Sequence, residues 1–328
     1  MRIPISIRLL SIAAAIAMIA ACAGADTSAT ALKPLSLHGG AQPLVVDIPN
    51  VSHHACPATG PIEYVSGDST NLIDIYAGDF VGQQPCDQIS WTFKQPSAFF
   101  VDVKTHDLYV ANTAGFDILV FHRGATMPYN TYTDPDPNGQ YPGSVVVASD
   151  GTVIACNFNA SKGPEHGSLS TWIGGPSGGT FVGNFPMTDY GGGRFMAINS
   201  HDTIYYTDSE YLGPIVLWSV TCLAGRCGPQ SQSVGVKFRD PYEMAFDADG
   251  DLVVDDTQPS LLETFELPNP NHTSSFAVTG AGLALDALGG HVFTVDGGIK
   301  PPAEYSYPSG TLIGTVPIGR GLGIAFDP

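Results

Sequence analysis

The sequence predicts an all-β fold, a six-bladed β-propeller whose ring is closed by N- and C-terminal strands in one shared blade. Three observations carry this reading. A three-strand unit recurs along the chain, its first strands ending at residues 102, 148, 199, 247, 286 and 327. The chain finishes on the first strand of such a unit and opens on the later strands of another. The composition fits no helical alternative: 38 Gly and 26 Pro in 328 residues, with only 13% charged side chains, is too turn-rich and too poor in Glu, Lys and Arg for bundles or coiled coils.

Residues 1–21 have the parts of an export signal: Arg2 and Arg8, then an apolar run from Leu9 to Ala21 interrupted by Ser11. The run is too short for a transmembrane span of about 20 apolar residues. Ile19-Ala20-Ala21-Cys22 resembles the bacterial lipobox, which implies lipidation of Cys22 and an outer-membrane or cell-surface location. Ordinary cleavage around Ala21-Cys22-Ala23, giving a periplasmic or secreted protein, is the other reading. Residues 22–58 then form a polar tether and 59–328 the propeller. Cysteine usage agrees with export. Cys222 and Cys227 bracket a tight Gly-containing loop, Cys56 and Cys86 offer a second bridge, and Cys156 is left as an inert thiol inside an apolar strand.

The repeat reads as an apolar strand ending in Asp or Asn, a polar turn, a second such strand, and a third ending in an aromatic. The clearest copy is Pro96–Asp102, Leu108–Asn112 and Ile118–Phe121. The others run through Pro142–Ala148, Val153–Asn157 and Trp172; Gly193–Asn199, Ile204–Asp208 and Trp218; Pro241–Asp247, Leu252–Asp256 and Phe265; and Ala281–Asp286, Val292–Asp296 and Tyr305. Spacings of this size match a four-stranded propeller blade. Gly321–Asp327 is a first strand with nothing after it, while Glu63–Ser66 and Leu72–Tyr76 are second and third strands with no first. Joining them closes the ring and removes the exposed sheet edges.

Leu108–Phe121 and the turn at Ala245–Asp255 resemble blade segments of NHL-repeat propellers, and residues of about 60–328 are similar to exported bacterial NHL-like six-bladed proteins, many of them lipoproteins. The resemblance implies the fold and leaves the chemistry open, since propellers host binding, lyase, hydrolase and scaffold functions alike.

The candidate site residues follow from the register. Four positions before the first-strand ends stand Ala98, Ser144, Phe195, Glu243, Gly282 and Gly323, expected to face the channel. Glu243 is the one acid among them, a candidate general base or a charge at the channel mouth near Arg194. The second-strand ends Asn112, Asn157, Asp208, Asp256 and Asp296 read either as oxygen ligands on one face or as turn-fixing acceptors. The doubled acid Asp255-Asp256 and Asp208 are the candidates for a Ca²⁺ or other divalent contact. His106, His201 and His291 fall in first turns and are expected to be solvated. Glu165 and His166 sit in the longest interruption of the pattern, where His166 is a second catalytic candidate. Tyr129, Tyr132 and Tyr141, in a proline-rich connection, offer rings to a carbohydrate or protein partner, or else pack on the blade.

A net charge of −18 argues against nucleic acid and against any membrane contact other than an N-terminal lipid. No P-loop, serine elbow or H-E-x-x-H motif occurs. The expected function is an exported binding or interaction module without catalysis or cofactor. The alternative is a propeller-type enzyme, a metal-assisted lactonase or hydrolase, or a lyase.

Overall fold

Short β-rich runs separated by Gly, Asn and Asp turns fold here into antiparallel sheets, five of four strands and one of five. The computed structural model describes residues 56–67, 71–78, 81–135, 141–157, 167–175, 178–187, 195–209, 215–228, 232–258, 260–278, 280–286, 289–296, 300–315 and 322–328. The expectations for residues 1–21, for Cys22, and for Glu165, His166 and Arg194 lie outside them.

The chain begins in mid-blade with β1 (Ile62–Gly67), β2 (Leu72–Ala77) and β3 (Asp87–Ser90). Blade one is β4 (Pro96–Asp102), β5 (Asp107–Asn112), β6 (Asp117–Phe121) and β7 (Asn130–Thr133). Blade two is β8 (Pro142–Val147), β9 (Val153–Asn157), β10 (Ser168–Ile173) and β11 (Thr180–Pro186). Blade three is β12 (Met196–Ile198), β13 (Thr203–Ser209), β14 (Ile215–Leu223), a short β15 (Arg226–Cys227) and β16 (Gln232–Phe238). Blade four is β17 (Pro241–Phe246), β18 (Leu252–Asp256), β19 (Leu261–Glu266) and β20 (Asn271–Ala277). Blade five is β21 (Gly282–Leu285), β22 (His291–Asp296), β23 (Lys300–Ser306) and β24 (Thr311–Thr315). The last strand, β25 (Ile324–Asp327), pairs with β1, so the closing blade has the order β25-β1-β2-β3. The shared blade is the one the sequence predicts.

Stacked sheets bury both faces, so alternate residues of each strand enter one seam or the other. Each of the six seams holds its own apolar cluster. Phe99, Leu108 and Phe121 meet Tyr64 and Ile75 between the closing blade and blade one; Val253, Leu262 and Leu283 meet Val292 and Tyr305 between blades four and five. The remaining seams are built likewise. This double burial is why so few residues carry charge.

Both expected disulfides form, Cys56–Cys86 and Cys222–Cys227, and Cys156 is a buried free thiol. The second bridge closes the β14–β15 hairpin, which clamps onto blade two: Asp150 accepts from the Ala224 N–H at 2.7 Å, and Thr171 Oγ1 donates to the Gly225 carbonyl at 2.6 Å. Among the described residues no helix is long and apolar enough to cross a membrane.

Antiparallel order fixes two faces. First-strand starts and second-strand ends share one, called the entry face; the turns joining first to second strands share the other, called the far face.

Candidate functional site

Glu243 stands near the start of β17 and Asp255 near the end of β18, which places both at the entry face of blade four. A register shift between Pro241 and Met244 lets two residues of β17 occupy the space beside Asp255. Glu243 is buried, and its Oε2 accepts the Leu283 N–H of blade five at 3.0 Å. Its carboxylate also accepts the Phe99 N–H of blade one, across the ring from blade four. Among the described residues no arginine holds it. Burial raises its pKa well above the carboxylate range; the Leu283 N–H opposes this, the Asp255 charge adds to it, and the Phe99 N–H opposes it.

Asp255 is fully buried, and neither carboxylate oxygen has a hydrogen-bond partner. Burial, and then the charges of Asp256, Asp296 and Asp240, push its pKa up to about 8. Two glycines make room for this pair. A methyl group at Gly280 would lie 2.5 Å from Asp255 Oδ2, and one at Gly282 would lie 2.8 Å from Glu243 Oε2.

At the described positions the first-strand register therefore packs closely into the seams. Ala98 packs between blades one and two, and the Phe99 ring covers Gly323, 3.0 Å from where a Cβ would stand. The physical reason is sheet stacking: a small residue in one blade accepts a large side chain from its neighbour, Phe99 onto Gly323 and Glu243 onto Gly282.

Two of the second-strand ends bind backbone, while Asn157 donates to the Ser168 and Ser170 hydroxyls. Asn112 accepts the Lys94 N–H at 2.6 Å and donates to Asp117 at 2.7 Å. Asp256 accepts the N–H groups of Arg239 and Asp240 at 3.1 and 2.8 Å. Both hold the segment that enters their blade, and Asp256 also accepts the Gln258 N–H two residues on at 3.4 Å, as turn chemistry predicts. Asp208 pairs with Val216 in the ladder, and its side chain lies outside the described part. Among the described residues no three His, Cys, Asp or Glu side chains group to hold a metal ion.

The tyrosines do not form one surface. Tyr132 is 2% exposed, bonds the Gly175 carbonyl and packs on Trp172. Tyr129 stacks on His122 at 3.7 Å and donates to Asp107 at 2.8 Å. Tyr141 meets Phe116 edge-on at 4.8 Å. The Phe116 ring borders a crevice of about 10 Å³ lined by Asp117, Asp134, Asn157 and Trp172.

Two histidines on the far face do more than meet water. His106 Nδ1 is 2.6 Å from buried Asp327, and His291 Nδ1 is 2.7 Å from buried Glu304. Arg123 also binds Asp327. No local motif signals the first pair, because His106 and Asp327 stand 221 residues apart.

No protein-family model and no curated protein matches the sequence. Solved structures match the fold at low identity. A chain of a nidogen/laminin complex aligns with TM-score 0.62 at 10% identity, over 82% of this chain and 99% of that one. A protein of unknown function from Bacteroides caccae gives 0.59 at 12%, over 82% and 99%. A catalytically inactive variant of virginiamycin B lyase from Staphylococcus aureus, with quinupristin, gives 0.53 at 9%, over 84% and 87%. Chains as different as these share one architecture, and the present chain is a six-bladed β-propeller.

Proposed function

We propose that this chain is an exported propeller, anchored through a lipid on Cys22, that serves as a binding or interaction module for a protein or carbohydrate. The observation that carries this is the close packing at the described first-strand starts. Phe99 packs on Gly323, and the Glu243 carboxylate accepts the Leu283 and Phe99 N–H groups. A substrate would have to displace these contacts. The contact surface we assign is the entry face of blades one and two, where Tyr141 and Phe116 stand beside the Asp117, Asp134 and Asn157 crevice. Acids and amides beside aromatic edges suit hydroxyl-rich or peptide ligands.

The test is a glycan array and a cell-envelope fraction probed with the purified protein. Binding that falls at least tenfold in Tyr141→Ala is expected. Turnover of lactones or esters that disappears in Glu243→Gln would instead establish the enzyme reading, which the buried, raised pair Glu243 and Asp255 supports. Mass analysis of the mature N-terminus decides the anchor: a diacylglyceryl Cys22 is expected, and an unmodified start at Gly24 removes it.

A further inference from the structure

Burying two carboxylates together is costly unless positive charge compensates them. Lysine, arginine, protons or a metal ion can supply it. Among the described residues every charged neighbour acting on Glu243 or Asp255 is itself an acid: Asp255 on the first; Asp256, Asp296 and Asp240 on the second. Glu243 has backbone donors, whereas both oxygens of fully buried Asp255 have none. Gly280 and Gly282, the residues facing the pair, carry no side chain, and Thr294 lies against the same spot. An acid here also breaks the repeat. The residue before the second-strand end is Ala111, Cys156, Thr207 and Val295 in blades one, two, three and five, and Asp255 in blade four.

We propose that Glu243 and Asp255 are the side-chain ligands of a calcium site in the seam between blades four and five, at the entry face. All donors are oxygens, which selects a hard ion. Among the described residues no third acid groups with them to hold an ion, so backbone carbonyls and water complete the shell. Few formal charges in a site of this kind mean weak binding, Kd on the order of 10⁻⁴–10⁻³ M, as in extracellular modules. An ion there ties β18 to the start of β21 and is a seam component rather than a reagent. The inference stands whether the module binds or catalyses.

The test uses the purified protein stripped with EDTA, then titrated with CaCl₂ or MgCl₂ to about 10 mM, ten times the weakest expected affinity. Calcium should raise Tm saturably by about 3 °C, with a smaller effect from magnesium. Equilibrium dialysis should find about one calcium per chain. Asp255→Asn should lose both responses, while Asp249→Asn, an exposed acid on the far face, keeps them. Should Asp255→Asn fail to fold, Glu243→Gln and the dialysis count on wild-type protein carry the decision. No bound calcium, or an equal Tm shift in Asp255→Asn, overturns the proposal and leaves protons as the compensating charge.

Discussion

Removing the Asp327 side chain should loosen the ring where it closes. Asp327 is the penultimate residue and fully buried, and its backbone pairs with Ile62. One carboxylate oxygen meets His106 Nδ1 at 2.6 Å, and the other accepts from Arg123, which also donates to the Gly60 carbonyl. The last strand, the first strand and blade one are thus held through a single carboxylate. Breaking a buried pair by deleting one partner costs about 3–5 kcal/mol. The Arg123 side chain keeps 17% exposure and regains some water, so about 2–4 kcal/mol is the reasoned value for Asp327→Ala. Asp327→Asn retains the shape and an acceptor and should cost about half as much. Urea unfolding followed by tryptophan fluorescence reads the difference, and the Asp327→Ala/Arg123→Ala cycle should give a coupling of about 1.5–3 kcal/mol. Hydrogen exchange should rise first across Ile62–Gly67. A loss under about 0.5 kcal/mol, the range of an ordinary surface change, or a coupling near zero, would refute the latch.

Replacing Cys56 by Ser should cost about 3–4 kcal/mol and Cys222 by Ser about 2 kcal/mol, because the bridges close loops of sequence separation 30 and 5; urea midpoints without reductant test the order. In EDTA the stability should fall as pH rises from about 4 towards 8. Asp255 is raised to about 8 when folded, so the folded chain holds an extra proton in that window. The Asp255 slope is at most about 1.4 kcal/mol per pH unit, and Asp255→Asn should remove that part of it. Gly282→Ala should cost about 1–3 kcal/mol through overpacking, since its methyl would meet Val295, Glu243 and the Leu322 carbonyl at 2.7–2.8 Å. Gly183→Ala, with open space around it, should change thermal stability by no more than about 0.5 kcal/mol.

The fold was legible because a propeller repeats its local chemistry. Pro96–Asp102, Val153–Asn157 and Leu252–Asp256 form strands with the bounds the pattern assigns. Glu243 was legible as the one acid in a register of small and apolar residues. Its partners were not, because the Phe99 N–H comes from across the ring and the Leu283 N–H from the next blade. Asp255 was visible as half of a doubled acid, and its period was the unused signal. Adjacent strand residues point into opposite seams, so Asp255 and Asp256 cannot both hold the same entering segment. Asp256 takes that task, and Asp255 is left in the seam. The three tyrosines show the reverse. They are close in sequence, but a strand and its turns send Tyr129, Tyr132 and Tyr141 to a histidine stack, a blade interior and the entry face.

The negative charge then divides by the partner each acid has. Asp247 accepts the Asp249 and Asp251 N–H groups, Asp286 those of Gly290 and His291, and Asp150 that of Thr152. These are turn acids, repeated because the blade is repeated, and backbone dipoles satisfy them without a cation. Asp327 and Glu304 are buried acids met by Arg123, His106 and His291. Asp255 belongs to neither group. It is buried where its own blade has already satisfied the turn with Asp256, and its charged neighbours only oppose its ionisation. An acid that neither fixes a turn nor pairs with a base contributes nothing to the ring as a carboxylate alone. That is why the seam between blades four and five, rather than the acidity of the whole surface, is the place to look for a bound cation.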